Sequence, residues 1–237
     1  MALFASLLPL LCWFAYNNGI FLVERRYPSM SSIMSQQRRR WVANAAIRET
    51  PVDAILAGNL MGSVSFLAST TALLVLASVA AFGQVNTITT QLQTLTIGAP
   101  YSRVDVELHF ACMLAIFVLA FFAFTLSLRQ FNHFCIMLGA MGQGADARLA
   151  EIDAIATLNS SAARNFNNGL RAFYFAVPMI AWFAGPWVGI AGSLLTVGFI
   201  VHREFLSGAH RIAMSLAAAG KDPEARTESR MRPAAKI

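Results

Sequence analysis

Charged side chains are scarce in this chain. Asp, Glu, Lys and Arg make up 13% of its 237 residues, about half the share of an ordinary soluble domain. That shortage, with 57% hydrophobic residues and a mean hydropathy of +0.56, argues against a disordered chain and against an aqueous globule. Cysteine is scarce too. Cys12, Cys112 and Cys135 are odd in number, have no CxxC spacing and stand in apolar runs, so neither a disulfide framework nor a zinc site is expected. There is no phosphate-binding P-loop, no HExxH and no nucleophile elbow, so no catalytic residue and no cofactor are implied. The net charge of +6 comes without a nucleic-acid motif, and nucleic acid is not an expected partner.

What the chain has is long uncharged runs. A helix needs about 20 apolar residues to cross the roughly 30 Å hydrocarbon core, and four segments qualify: about 3–23, 52–82, 107–128 with a possible helical continuation to 141, and 172–201. Residues 1–23 carry no charge, so the basic n-region of a signal peptide is missing and the first span is retained. Thr50, Pro51 and Asp53 form a helix-start signal for the second. The Thr- and Gln-rich stretch from Gln84 to Thr96 reads as a loop. Ser35 to Arg48 reads as a helix lying in the interface with Trp41 at headgroup depth, and 145–165 as an amphipathic helix. The resulting fold is all-α, a polytopic four-helix transmembrane bundle with interfacial amphipathic helices. It divides into a membrane domain over 1–208 and a basic tail over 209–237, mobile from about Gly220.

Basic residues set the orientation. The segments 24–53 and 129–171 carry six and four, against Arg103 alone in 84–106. This places the first two in the cytoplasm and the N-terminus in the periplasm of a bacterial inner membrane. The tail conflicts with that count, because 202–237 carries seven basic residues and four crossings put it outside. Gly185-Pro186 offers a resolution by dividing 172–201 into a re-entrant hairpin. A single kinked span is the favoured reading here, because lipid-exposed broken backbone is costly.

Several side chains are candidates for function. Ala54, Gly58 and Gly62, and again Gly185 and Gly189, repeat small residues at helical spacing and suit close helix packing. Asn59, Ser63, Ser65 and Ser69 give the second span a polar face that suits a buried interhelical bond or a permeation path. Each serine can also bond to its own helix carbonyls. Arg38, Arg39, Arg40, Arg164 and Arg171 are candidate contacts for anionic lipid headgroups; a capping and loop-ordering role competes for the two near Asn165, Asn167 and Asn168. Asp105, Glu107 and His109 are a weak candidate metal set against the plainer reading of a capped, solvated helix start. No charge lies deep in any span, so a proton relay or voltage sensor is not expected.

Four stretches resemble one family. Arg39-Arg40-Trp41-Val42, the run NLMGSVSFLAST from Asn59 to Thr70, Phe131 to Phe134, and GLRAFYFAVPMIAWFAGP from Gly169 to Pro186 are together similar to the domain of unknown function 599 family of bacteria and plants. The likeness runs from about 5 to 205. It implies a multi-span membrane protein and carries over no catalytic residue. The expected function is that of a non-enzymatic, oligomeric membrane protein, either a permeation pathway or a scaffold. The alternatives are an accessory subunit among other membrane subunits and a lipid-acting enzyme.

Overall fold

The computed structural model describes residues 1–48, 51–95, 101–142 and 148–219. Eight α-helices are resolved in that range: α1 (Ala2–Glu24), α2 (Met30–Ala45), α3 (Val52–Phe82), α4 (Val85–Leu95), α5 (Arg103–Ala140), α6 (Leu149–Ala181), α7 (Pro186–Val201) and α8 (Gly208–Ala219). A 3-10 turn, Trp182–Ala184, joins α6 to α7, and a π-helical turn, His202–Leu206, follows α7. No strand occurs among the described residues. Four stretches are long and apolar enough to cross a membrane: Ala2–Glu24, Val52–Phe82, Arg103–Ala140 and Pro186–Ala218.

The first three coincide closely with the spans read from the sequence. Ser102 and Asp105 close a reciprocal capping box at the start of α5, satisfying two orphan donors. The fourth span differs. Residues 172–201 are not one kinked helix: α6 ends at Ala181 and the chain reverses at Gly185, whose φ of 153° and ψ of 146° suit a residue without a Cβ. The two arms run antiparallel. A Cβ on Gly189 would lie 3.2 Å from Trp182 Cα, and one on Gly192 3.1 Å from Pro178 Cβ. The backbone break that disfavoured a hairpin is short and abuts packed protein, since the Gly185 amide donates to the Trp182 carbonyl at 2.9 Å and buried Trp182 fills the turn.

The amphipathic segment 145–165 and the apolar start of the fourth segment form one helix, α6, which begins at Leu149. It lies antiparallel to α5. His109 meets Met179 near one end, while midway along α6 Ser127 donates to the Ala162 carbonyl at 2.8 Å and Asn165 donates to Gln130. At Gly169 the helices approach so closely that a Cβ would lie 2.6 Å from the Phe124 ring. With 38 and 33 residues, α5 and α6 are about 57 and 50 Å long. They exceed the hydrocarbon thickness of about 30 Å and project well past it.

Two other readings are corrected. Gln84 to Thr96 is not an open loop, because α4 occupies Val85–Leu95. Its Thr89 and Thr90 hydroxyls bond back to the Val85 and Asn86 carbonyls, while Val85, Ile88 and Leu92 pack with Tyr101, Val106 and Phe110. Nor does α2 stand apart from the bundle. It runs along α6, with Ser35 against Ser160 and Arg39 against Asp153. Trp41 turns inward, donating its indole N–H to buried Asp53 at 2.6 Å, and Arg48 donates to the same oxygen at 2.8 Å. A buried carboxylate needs such donors, and they draw α2 onto the bundle. Thr50, the expected cap hydroxyl, lies outside the described residues, as does the tail from Gly220.

The hairpin has a consequence for charge. α7 returns the chain to the end of the bundle where α1 finishes: Glu204 accepts from the Ser31 amide, and His210 Nε2 donates to the Pro28 carbonyl at 2.9 Å. The start of α8 therefore joins Arg25, Arg26 and the arginines of α2 at one basic end, opposite Trp182 and Arg103.

Candidate functional site

Arg171 is the ionisable side chain that the fold places most unexpectedly. It is 8% exposed and is held by three elements. Nη1 donates to Asn17 Oδ1 on α1 at 3.0 Å and reaches Asn168 Oδ1 on its own helix at 3.4 Å. Nη2 stands 3.9 Å from Glu204 in the π-turn, and the guanidinium carbon lies 5.0 Å from the centroid of the Tyr16 ring. Trp13 pins the same level by donating to the Asn168 carbonyl at 3.1 Å. Asn17 is fifteen residues beyond Ala2 on α1, about 22 Å along the helix. It is about 10 Å short of the end of α1 at Glu24.

The sequence puts Arg171 in a polar collar at the start of a span, whereas it lies well inside the single helix α6, Leu149–Ala181. The reason for the difference is the continuity of α6, which carries Arg171 inward, and the π-turn, which aims Glu204 back at it. π-helical turns are rare and concentrate at functional positions. Tyr16, Asn17 and Glu204 were missed as site residues. A signal for the first two was present: Tyr16-Asn17-Asn18 interrupts an otherwise apolar run. The network is incompletely satisfied, since the Tyr16 hydroxyl and the Asn17 amide nitrogen are buried without partners. Beside it, Arg171, Tyr174, Arg203 and Glu204 line a cavity of about 20 Å³, room for about one water. Arginine keeps its proton in proteins, so the cluster can tie helices and hold polar groups in lipid but is not built to pass protons through Arg171.

The opposite end is organised by His109, which is fully buried. Its ring stacks on Trp182 with centroids 4.0 Å apart and planes 6° from parallel. Nε2 donates to the Met179 carbonyl at 2.9 Å, and Nδ1 stands 3.0 Å from the Ser6 hydroxyl, for whose one proton it competes with the Ala2 carbonyl, also 3.0 Å away. Tyr101 donates to the Trp182 carbonyl at 2.9 Å, and burial, with the Asp105 carboxylate adding to it, pushes the Tyr101 phenol above its ordinary pKa. Asp105 and Glu107 do not join His109: the first caps Ser102 and the second pairs with Arg103 at 2.6 Å. Among the described residues no group of three His, Cys, Asp or Glu converges as a metal site.

The remaining candidates separate. Gly189 packs within the chain, whereas Gly185 forms the turn itself. Ala54, Gly58 and Gly62, and with them Asn59, Ser63, Ser65 and Ser69, are all exposed on the outer face of α3. A Cβ on Gly58 or Gly62 would meet nothing within 4 Å. Asn59 is thus not the buried amide that the sequence led us to expect, while Ser63 bonds back to the Asn59 carbonyl at 3.0 Å. Of the arginines, Arg39 pairs with Asp153, and that hydrogen bond and charge raise its pKa. Arg164 donates to Ser161 at 2.7 Å. Arg38 is half-buried, and burial, reinforced by the nearby Arg164, lowers its pKa below the ordinary arginine value. Arg40 is half-buried on the same helix.

The family model described as "Protein of unknown function, DUF599" matches residues 4–209. The chain belongs to this family. The match takes in α1 from Phe4 onward and every helix from α2 through α7, together with the π-turn and Arg171, and ends at the start of α8. No curated protein and no solved structure matches the chain. DUF599 membership agrees with a multi-span membrane protein and assigns no chemistry to any residue.

Proposed function

We propose that this DUF599 protein is a non-enzymatic, homo-oligomeric protein of a bacterial cytoplasmic membrane, assembled through the outer face of α3. The N-terminus and the Gly185 turn face the periplasm, and the basic end faces the cytoplasm, as the distribution of arginine favours. The observation that carries the reading is the unfilled face itself, with open space at Gly58 and Gly62 beside exposed Asn59. The 3.5 Å Cys135–Met61 sulfur contact fixes the register of α3 on α5. Arg129 is six residues nearer the Trp182 end than Cys135, about 9 Å. The Ala54–Gly62 stretch therefore lies on the basic-end side of Arg129, and Ile55 and Leu56 within it stand 60% and 44% exposed. Apolar surface of that kind marks an interaction face. A cleft of about 410 Å³ between α3 and α5, lined by Ala54, Gly58, Met61, Cys135 and Gly139, gives a partner helix somewhere to seat.

In this reading the protein is a scaffold, and any permeation path runs between subunits along Asn59, Ser63, Ser65 and Ser69. Native mass measurement in lipid nanodiscs tests it, combined with crosslinking of Gly62→Cys in a chain whose three cysteines are replaced by alanine. A defined oligomer with Gly62→Cys crosslinks supports the proposal. A monomer without them, or stoichiometric foreign subunits in place of a second copy, contradicts it. Solute flux through reconstituted vesicles separates the permeation version from the scaffold.

A further inference from the structure

Between α1 and the arm made by the π-turn and α8 lies a groove of about 720 Å³, lined by Tyr16, Gly19, Tyr27, Phe205, His210 and Met214 among others. That volume is within the range of ligand pockets, about 300–1,000 Å³, and the walls are almost wholly apolar. Two features bear on its occupant. Two of the lining residues, Tyr27 and His210, have as chain neighbours Arg26 and Arg211, both exposed and neither ion-paired among the described residues. The nearby acids are already engaged, Glu24 by the Ser29 hydroxyl and Glu204 by Arg171 and the Ser31 amide. Finally, Phe205 and Leu206 reach the wall from the π-turn, the same irregular turn that sends Glu204 to Arg171.

We propose that this groove is a specific site for one anionic phospholipid of the leaflet at the basic end. An acyl chain lies between α1 and the π-turn, and the phosphate is held at the mouth by Arg26 and Arg211. The site is separate from the α3 face and does not depend on oligomerisation. Charge complementarity decides for an anionic over a zwitterionic lipid, because guanidinium groups at a membrane surface attract negative headgroups.

The test uses the full chain, with phosphatidylglycerol and phosphatidylcholine of identical acyl chains as probes, and reads retained lipid by native mass measurement. Gly19 lines the groove, and a Cβ there would meet nothing within 4 Å, so Gly19→Phe fills the site without a clash at Cβ. The expected result is one retained phosphatidylglycerol at least fivefold over phosphatidylcholine. Gly19→Phe should lower that retention at least fivefold at unchanged Tm. Arg26→Gln with Arg211→Gln should abolish the preference between the two lipids. If Gly19→Phe lowers the Tm, Gly19→Leu takes its place and is read the same way. Equal retention of both lipids by the unaltered protein, or full retention by the filled groove, overturns the proposal.

Discussion

Arg171 and Glu204 stand 3.9 Å apart, with side chains 10% and 14% exposed, although a reversal of the chain at Gly185 separates them in sequence. Removing one member of a buried ion pair leaves the other uncompensated, at a cost of about 3–5 kcal/mol. Arg171→Leu alone should therefore lower the Tm in detergent sharply. Arg171→Leu with Glu204→Leu should recover most of the loss, because it removes both charges together. Double-mutant thermal melts measure the difference, and additive losses would count against the pairing.

The turn at Gly185 depends on a backbone conformation that side chains oppose. Gly185→Ala should destabilise by about 1–3 kcal/mol through backbone strain. The α5–α6 seam makes a parallel demand. Phe124 is fully buried and packs against Phe166 and Phe173, so its ring has little room to retreat from a side chain at position 169. Gly169→Leu should cost about 1–3 kcal/mol or more by overpacking. Gly58→Ala, with open space around it, should leave the Tm of the isolated protomer unchanged or slightly raised. Thermal melts of the three variants under matched detergent order these effects.

Both ring nitrogens of His109 are engaged, with Ser6 and Met179. His109→Phe keeps an aromatic ring for the stack on Trp182 but loses two hydrogen bonds, each worth about 0.5–1.5 kcal/mol net. It should destabilise modestly. Zinc titration should leave the Tm of the unaltered protein where it is, and a zinc-dependent rise abolished by His109→Phe would restore the metal reading.

The ends of α1 and α3 were legible because charge brackets them: Glu24 closes one uncharged run and Asp53 opens the other. The capping signal from Ser102 to Asp105 lies at the true start of α5, upstream of the expected boundary at 107. α4 was hidden because threonine and glutamine suggest solvent-facing loop, whereas threonine hydroxyls bonded to their own helix stay helical. α6 was split in two because its pattern changes along its length, from amphipathic around Ile152 to apolar after Ala172. Neither local pattern reveals that Asn165 and Asn168 are spent on Gln130 and Arg171 rather than on ending a helix. The Arg171 cluster draws on three segments distant in sequence, and spacing alone does not bring them together.

The central claim is that α7 carries the chain back across the bilayer from the Gly185 turn, so that α8 emerges on the face occupied by α2. Single cysteines at exposed positions in a chain whose native cysteines are replaced by alanine decide it: Ser102→Cys and Trp187→Cys for one face, Gln36→Cys and Ser215→Cys for the other. The measurement is labelling by a membrane-impermeant maleimide on sealed, right-side-out vesicles. The account predicts labelling at positions 102 and 187, with 36 and 215 reacting only after permeabilisation. Labelling of position 215 together with 187 in sealed vesicles would contradict it.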